Sequence, residues 1–183
     1  MPIRGTKLVP PSRKIHSPLF NREFMRLNGY LAQEDDKKIE KQFDYLTGLN
    51  LAPKQLASVS TRGFYYYLEN RNKKKTEDML VLSKNCVDER SYQNMEIQDS
   101  ILLKKESKYI AECKKMLESM WDGSSSIKEE DTYPIGTMQY MIGLQYSYLK
   151  DYENANKYLN EALQNLKNTS YEIEISKLLK NFG

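Results

Sequence analysis

Five residues in one stretch of the chain, Gly143, Tyr146, Ala155, Leu159 and Ala162, follow one another at steps of three, nine, four and three. Steps of three and four keep side chains on one helix face, and the step of nine contains the polar pair Lys150-Asp151. The stretch therefore reads as a helix, a tight turn and a second helix whose small and apolar residues face the first. Gly143 removes a side chain where the two helices come closest, and Ala155 is small on the opposite side. Tyr146 fills the wider space beside the crossing, and Leu159 packs in from the second helix. A hairpin of this kind cannot bury its apolar face alone, so the rest of the chain must supply neighbours.

Weaker copies of the spacing are present. Earlier in the chain, at one constant offset, Gly63, Tyr66, Lys75, Met79 and Leu82 reproduce every step, with Lys75 in the small-residue slot. Tyr30, Ile39, Phe43 and Leu46 repeat it again, with Leu27 in place of the glycine. Cys113, Leu117 and Met120 fit the second-helix slots of a third, degenerate copy, where Ile101 and Lys104 stand for the glycine and the tyrosine. The four copies start at Leu27, Gly63, Ile101 and Gly143, so the connections between them lengthen along the chain. The pattern resembles the tetratricopeptide repeat, a helix-turn-helix unit of about 34 residues. From Leu19 to Phe182 the resemblance implies an all-α, right-handed α-solenoid of about four repeats with a C-terminal capping helix.

Helix punctuation divides the chain in the same way. Ser17-Pro18, Ala52-Pro53 and Tyr133-Pro134 place proline at helix starts, where its missing N–H costs nothing. Asn72-Lys73-Lys74 and Lys150-Asp151 fall at turns within units. The stretch from Asp122 to Asp131, with Glu129, Glu130 and Asp131, reads as the longest connecting loop. Ser170–Phe182 reads as a short amphipathic helix that caps the array, giving nine helices in all. Only eight Gly and six Pro occur, and Pro2, Pro10, Pro11 and Pro18 cluster at the N-terminal end. The segment 1–18 thus reads as a basic, Pro-rich flexible tail and 19–183 as the helical-repeat domain.

Charge argues against a nucleic-acid surface. The tail holds Arg4, Lys7, Arg13 and Lys14 and no acid, hence +4; the chain totals +3, which leaves −1 for the body. A protein that displaces counterions from phosphates needs a basic face. The run from Arg71 to Lys75 reads as a solvated turn, and Tyr65-Tyr66-Tyr67 as one core ring with two flankers. Cys86 and Cys113 are too few for a disulfide framework and read as buried thiols in a reducing, cytoplasmic setting. No apolar run approaches the length of about 20 residues that spans a membrane. Membrane contact is expected only through the basic tail, on the cytoplasmic face if a removed anchor preceded it.

Catalytic chemistry has little to stand on. The one histidine, His16, sits in the tail, and no CxxC, HExxH, GxSxG or GxxxxGK motif occurs. No catalytic residue, metal ligand or cofactor is expected, and the chain is read as a non-enzyme.

In the tetratricopeptide architecture the first helices of the units line a concave groove. The resemblance places Phe24, Asn28 and Leu31 there from the first unit, and Ser60, Phe64 and Tyr67 from the second. Gln98, Leu102 and Lys105 follow from the third, and Tyr140, Leu144 and Tyr148 from the fourth. The rings of Phe64, Tyr67, Tyr140 and Tyr148 are the rigid anchors favoured at interfaces. Asn28 and Gln98 would orient a ligand backbone. Family members that grip a C-terminal carboxylate use a clamp of two Lys, one Arg and two Asn. Only Asn28 conforms; the other slots hold Phe24, Thr61, Met95 and Asp99, which argues against that activity. The expected role is an adaptor that binds a protein or peptide of unknown identity. The alternatives are an RNA-binding, pentatricopeptide-like module, the soluble domain of a membrane-anchored protein, and a small helical enzyme or ligand-sensing regulator.

Overall fold

A computed structural model describes residues 17–123 and 126–182. The described residues form nine α-helices and no strand. They are α1 (Ser17–Ala32), α2 (Asp36–Thr47), α3 (Pro53–Glu69), α4 (Lys73–Ser83), α5 (Glu89–Leu102), α6 (Ile110–Met120), α7 (Glu129–Tyr148), α8 (Tyr152–Asn165) and α9 (Ser170–Lys180). The chain divides into two compact units, Met1–Tyr92 and Gln93–Gly183. The tail up to and including His16 lies outside the described residues; Ser17 and Pro18 begin α1.

In the first unit α1 pairs with α2 and α3 with α4. The pairs are antiparallel: Gly63 lies against Met79 and Ser60 bonds Ser83, so going back along α3 advances along α4. Leu27, Ile39, Phe43, Leu46, Phe64 and Tyr67 fill the interior, with the Phe43 ring 5.4 Å from that of Tyr67. A buried carboxylate crosses the first pair. Glu23 accepts hydrogen bonds from Gln42 Nε2 at 3.1 Å, Arg22 Nε at 3.0 Å and Arg26 Nη1 at 2.8 Å. The Gln42 bond foremost, with the two guanidinium groups, holds the Glu23 carboxyl below the usual glutamate range against the opposing effect of burial.

The hairpin turns within α1–α2, α3–α4 and α7–α8 are the same structure built three times. Glu34, Arg71 and Lys150 take left-handed backbone, with φ of 53°, 53° and 60°. Their N–H groups donate to the carbonyls of Leu31, Leu68 and Ser147. The following residues, Asp35, Asn72 and Asp151, donate their N–H to the carbonyls of Tyr30, Tyr67 and Tyr146. This pairing of bonds satisfies carbonyls left open at a helix end. The same three side chains then cap the second helix, accepting from the N–H of Lys38, Lys75 and Asn154 at 3.2 Å each.

These caps correct the alignment of the second unit by one residue. Counted from Asp35, Asn72 and Asp151, the equivalent tyrosines are Tyr30, Tyr67 and Tyr146, not Tyr66. The small-residue slot is Ile39, Thr76 and Ala155, all buried; Lys75, expected there, instead pairs with Asp44 at 2.7 Å. The slot given to Leu82 belongs to Ser83, which is fully buried.

In the second unit α7 is the central helix. It packs against both α6 and α8, and its residues from Ile135 to Gln145 are buried except Thr137. A helix with apolar residues on all sides has no polar face to give to water, so it goes to the middle. Two glycines, Gly136 and Gly143, set its approach to α8. A Cβ at Gly143 would lie 2.7 Å from Leu159 Cγ, and one at Gly136 would lie 2.8 Å from Leu166 Cγ. Tyr146 and Tyr158 stack 5.9 Å apart, with the Lys114 ammonium near both rings. α9 packs on α8, and its Ile175 is buried in the core of the unit.

Three local expectations fail. α7 starts at Glu129, so Glu129, Glu130 and Asp131 are its first turn rather than loop, where carboxylates favour the positive end of the helix dipole. Pro134 consequently lies inside α7 instead of starting it. α5 and α6 are not among the helix pairs in close approach; α6 packs on α7 instead. Lys105 takes a left-handed turn after α5, and Leu103, Lys104 and Glu106 bond back to the Asp99 and Ser100 carbonyls, so the third copy lacks the shared hairpin turn.

Candidate functional site

A groove of about 610 Å³ opens in the first unit along α1, α3 and the α4–α5 connection. Its lining includes Phe24, Thr61, Arg62, Tyr65, Cys86 and Asp88. Phe24 and Thr61 are equivalent positions, equally far ahead of the caps Asp35 and Asn72. Tyr65 likewise stands where Asn28 stands on α1. The Phe24 ring stacks on Phe20 with centroids 5.3 Å apart. Tyr65 meets the buried Phe64 ring edge-on at 5.2 Å, which fixes it at the surface of the core.

Behind the groove wall Ser83 Oγ lies 2.9 Å from both Ser60 Oγ and the Met79 carbonyl, the two acceptors open to its one hydroxyl proton. The half-buried Cys86 thiol donates to the Leu82 carbonyl at 3.2 Å. Asp88 is tied up by its own helix: its carboxylate accepts from the Ser91 N–H at 3.0 Å, capping α5, and the Ser91 bonds hold its carboxyl below the ordinary aspartate range. Thus the groove offers two rings, hydroxyls, a thiol and the exposed guanidinium of Arg62.

Of the residues expected to line a binding face, Phe24 is in this groove and Asn28, one helical turn later, is half-buried on the same face of α1. Phe64 and Tyr67 are core residues, 0% and 1% exposed, and present no ring to a ligand. The one-residue offset is the cause: the α3 positions equivalent to Phe24 and Asn28 are Thr61 and Tyr65, while Ser60, Phe64 and Tyr67 point inward. Gln98, Tyr140, Leu144 and Tyr148 lie in the second unit. Tyr140 is fully buried, 5.1 Å from the Tyr171 ring, and Leu144 is in the same core. The all-round burial of α7 removes both from any surface. Tyr148 is half-buried and its hydroxyl donates to the Ile101 carbonyl at 3.0 Å. Gln98 is half-buried on α5.

Matching Gly63 to Gly143 puts Tyr65 and Arg62 outside the lining slots, and Thr61 enters only as a slot of the carboxylate clamp. The Asx residue ahead of α2, α4 and α8 would have placed them. In the tyrosine triplet, Tyr67 is core, Tyr66 donates its hydroxyl to Asp36 at 2.7 Å, and Tyr65 faces outward. The basic run is turn and helix start: Arg71 forms the bend and Lys75 pairs with Asp44. Cys113 is fully buried, and burial pushes its thiol up to about 11, despite the Gln145 amide that donates to it. Among the described residues no three His, Cys, Asp or Glu side chains are placed to hold a metal ion, and no helix is long and apolar enough to cross a membrane. No family model matches the chain, and no curated protein or solved structure matches it either.

Proposed function

We propose that this chain is a non-enzymatic adaptor built on tetratricopeptide-like helical repeats in a right-handed solenoid, and that it binds a peptide or helix on the first helices of its units. The observation that carries the reading is the groove whose walls come from equivalent positions of α1 and α3. The three identical hairpin turns support the repeat reading, and the α5–α6 segment is then a divergent unit that has lost its turn. Phe24 and Tyr65 take the anchoring role, because they are the rings at the groove. A peptide side chain buried between them leaves water without ordering a flexible partner surface.

Salt separates this reading from RNA binding. An RNA complex weakens steeply as salt rises, because each neutralised phosphate releases counterions. Peptide binding by apolar burial changes little over the same range. Phe24→Ala and Tyr65→Ala should each cost about 1–2 kcal/mol in peptide binding, as truncated aromatic anchors do. Tight binding of single-stranded RNA to the body, with a steep salt slope and no response to either substitution, would refute the adaptor reading.

A further inference from the structure

Three arginines stand on the two helices that wall the groove. Arg22 and Arg26 on α1 both bond the buried Glu23 carboxylate. Arg62 on α3 has no hydrogen-bond or ion-pair partner among the described residues, and it lines the groove between the slots of Thr61 and Tyr65. The one carboxylate in the lining, Asp88, is committed to the Ser91 N–H as the cap of α5. Among the described residues the groove therefore has two rings, one positive fork without a partner, and one ionised carboxylate that is turned to the first turn of α5, where the Ser91 N–H takes one of its oxygens.

We infer that the occupant is a peptide segment of a partner protein that carries an aspartate or glutamate within one helical turn of an aromatic or aliphatic residue. The apolar side chain enters between Phe24 and Tyr65, and the carboxylate takes Arg62 through two parallel N–H···O bonds, the geometry a guanidinium favours. A basic segment is disfavoured at that position. This chain's own segment 1–16 holds Arg4, Lys7, Arg13 and Lys14 and no acid, so it lacks the group that Arg62 would bind.

This inference rests on the peptide-binding reading above, and the two can fail separately. The probe is a phage-displayed library of random short peptides, panned on the immobilised full-length chain. Enriched peptides should carry an acid close to an aromatic or aliphatic residue. Synthesised singly, they should bind at least tenfold more weakly to Arg62→Glu, with part of the affinity kept by Arg62→Lys. Arg62 is exposed, so both variants should melt where the parent melts. Absence of any enrichment over bare support would sink both readings. Enriched peptides that lack acids, or that bind Arg62→Glu as well as the parent, would overturn the assignment of Arg62 alone. So would a synthetic peptide of the segment 1–16 that binds and is lost with Phe24→Ala, or self-association of the chain abolished by Arg62→Glu; these would give the groove to its own N-terminal segment or to a second copy.

Discussion

Replacing Gly143 by alanine should destabilise the second unit, although alanine is the better helix former. At an open helical position the exchange gains about 0.5–1 kcal/mol. Gly29 in α1 is such a position: a methyl there meets nothing within 4 Å. At Gly143 the methyl would sit 2.7 Å from Leu159 Cγ, 2.9 Å from Cδ2 and 3.2 Å from the Leu159 backbone nitrogen. The Leu159 branch point can rotate away only into a filled core, and the backbone contact remains whatever the rotamer. Separating the helices is opposed two turns earlier, where Gly136 lies equally close to Asn165 and Leu166. Overpacking of this kind costs roughly 1–3 kcal/mol; set against the propensity gain, it leaves a net loss of up to about 2.5 kcal/mol, the upper part of that range because a backbone contact is involved. Urea unfolding followed by tryptophan fluorescence and by amide exchange in α7 and α8 reads the change, and amide exchange in α1 and α2 reads Gly29→Ala, the control that should gain stability. Leu159→Ala should then be better tolerated in the Gly143→Ala background than in the parent, because the added methyl fills part of the cavity. An increase in stability for Gly143→Ala matching that of Gly29→Ala would refute the close-approach argument.

Glu23 should make stability fall in acid. Its folded-state carboxyl is held below the unfolded value, so its contribution is present above that value, about 4.3, and is lost as pH falls through the folded one; Glu23→Gln should flatten the dependence of melting temperature on pH below about 4.3. The two thiols should differ in native protein: the half-buried Cys86 should react first with a disulfide reagent, and Cys113, buried and pushed up to about 11, only as the second unit opens. Equal rates would contradict the burial of Cys113. Asp151→Ala should cost about 0.5–2 kcal/mol through loss of the α8 cap, while Lys150→Gly should stabilise by up to about 1 kcal/mol by relieving left-handed backbone; thermal melts of both variants check the turn.

The all-helical fold could be read from the residues because it rests on local chemistry. The scarcity of helix breakers and the Asx residues after the bends each act within a few residues, and Gly143 acts within one hairpin, against Leu159. The register of the second unit could not, since Gly63 offers a close approach one position away from the slot that Gly143 fills, and only the caps decide between them. Gly63 contacts Met79 and also the Phe43 ring of α2, so its use is tertiary. Pro134 misled for a related reason: its ring is compatible with a first turn, but the three carboxylates before it start the helix earlier. The anchors assigned to α7 failed because the stretch from Ile135 to Gln145 has apolar residues on every side and gives no periodic hint of which face stays outside. The Asx caps place Arg62 on the α3 face that lines the groove, but nothing in the sequence gives it a role, because an exposed arginine beside a tyrosine run looks like any solvated surface.

The burial of α7 on all sides bears on how the second unit comes apart. A helix covered on one face can detach while its neighbours hold. α7 has no such exit: the protection of its central amides is tied to α6 and α8 together, so they should exchange only when the whole unit opens at once. Its first turn is the exception, because Pro134 has no N–H for the Glu130 carbonyl and so frees that end to fray. Exchange along this one helix should therefore step from fast before Pro134 to the slowest in the unit after Ile135. That profile makes α7 the reporter of cooperative unfolding for everything that packs around it.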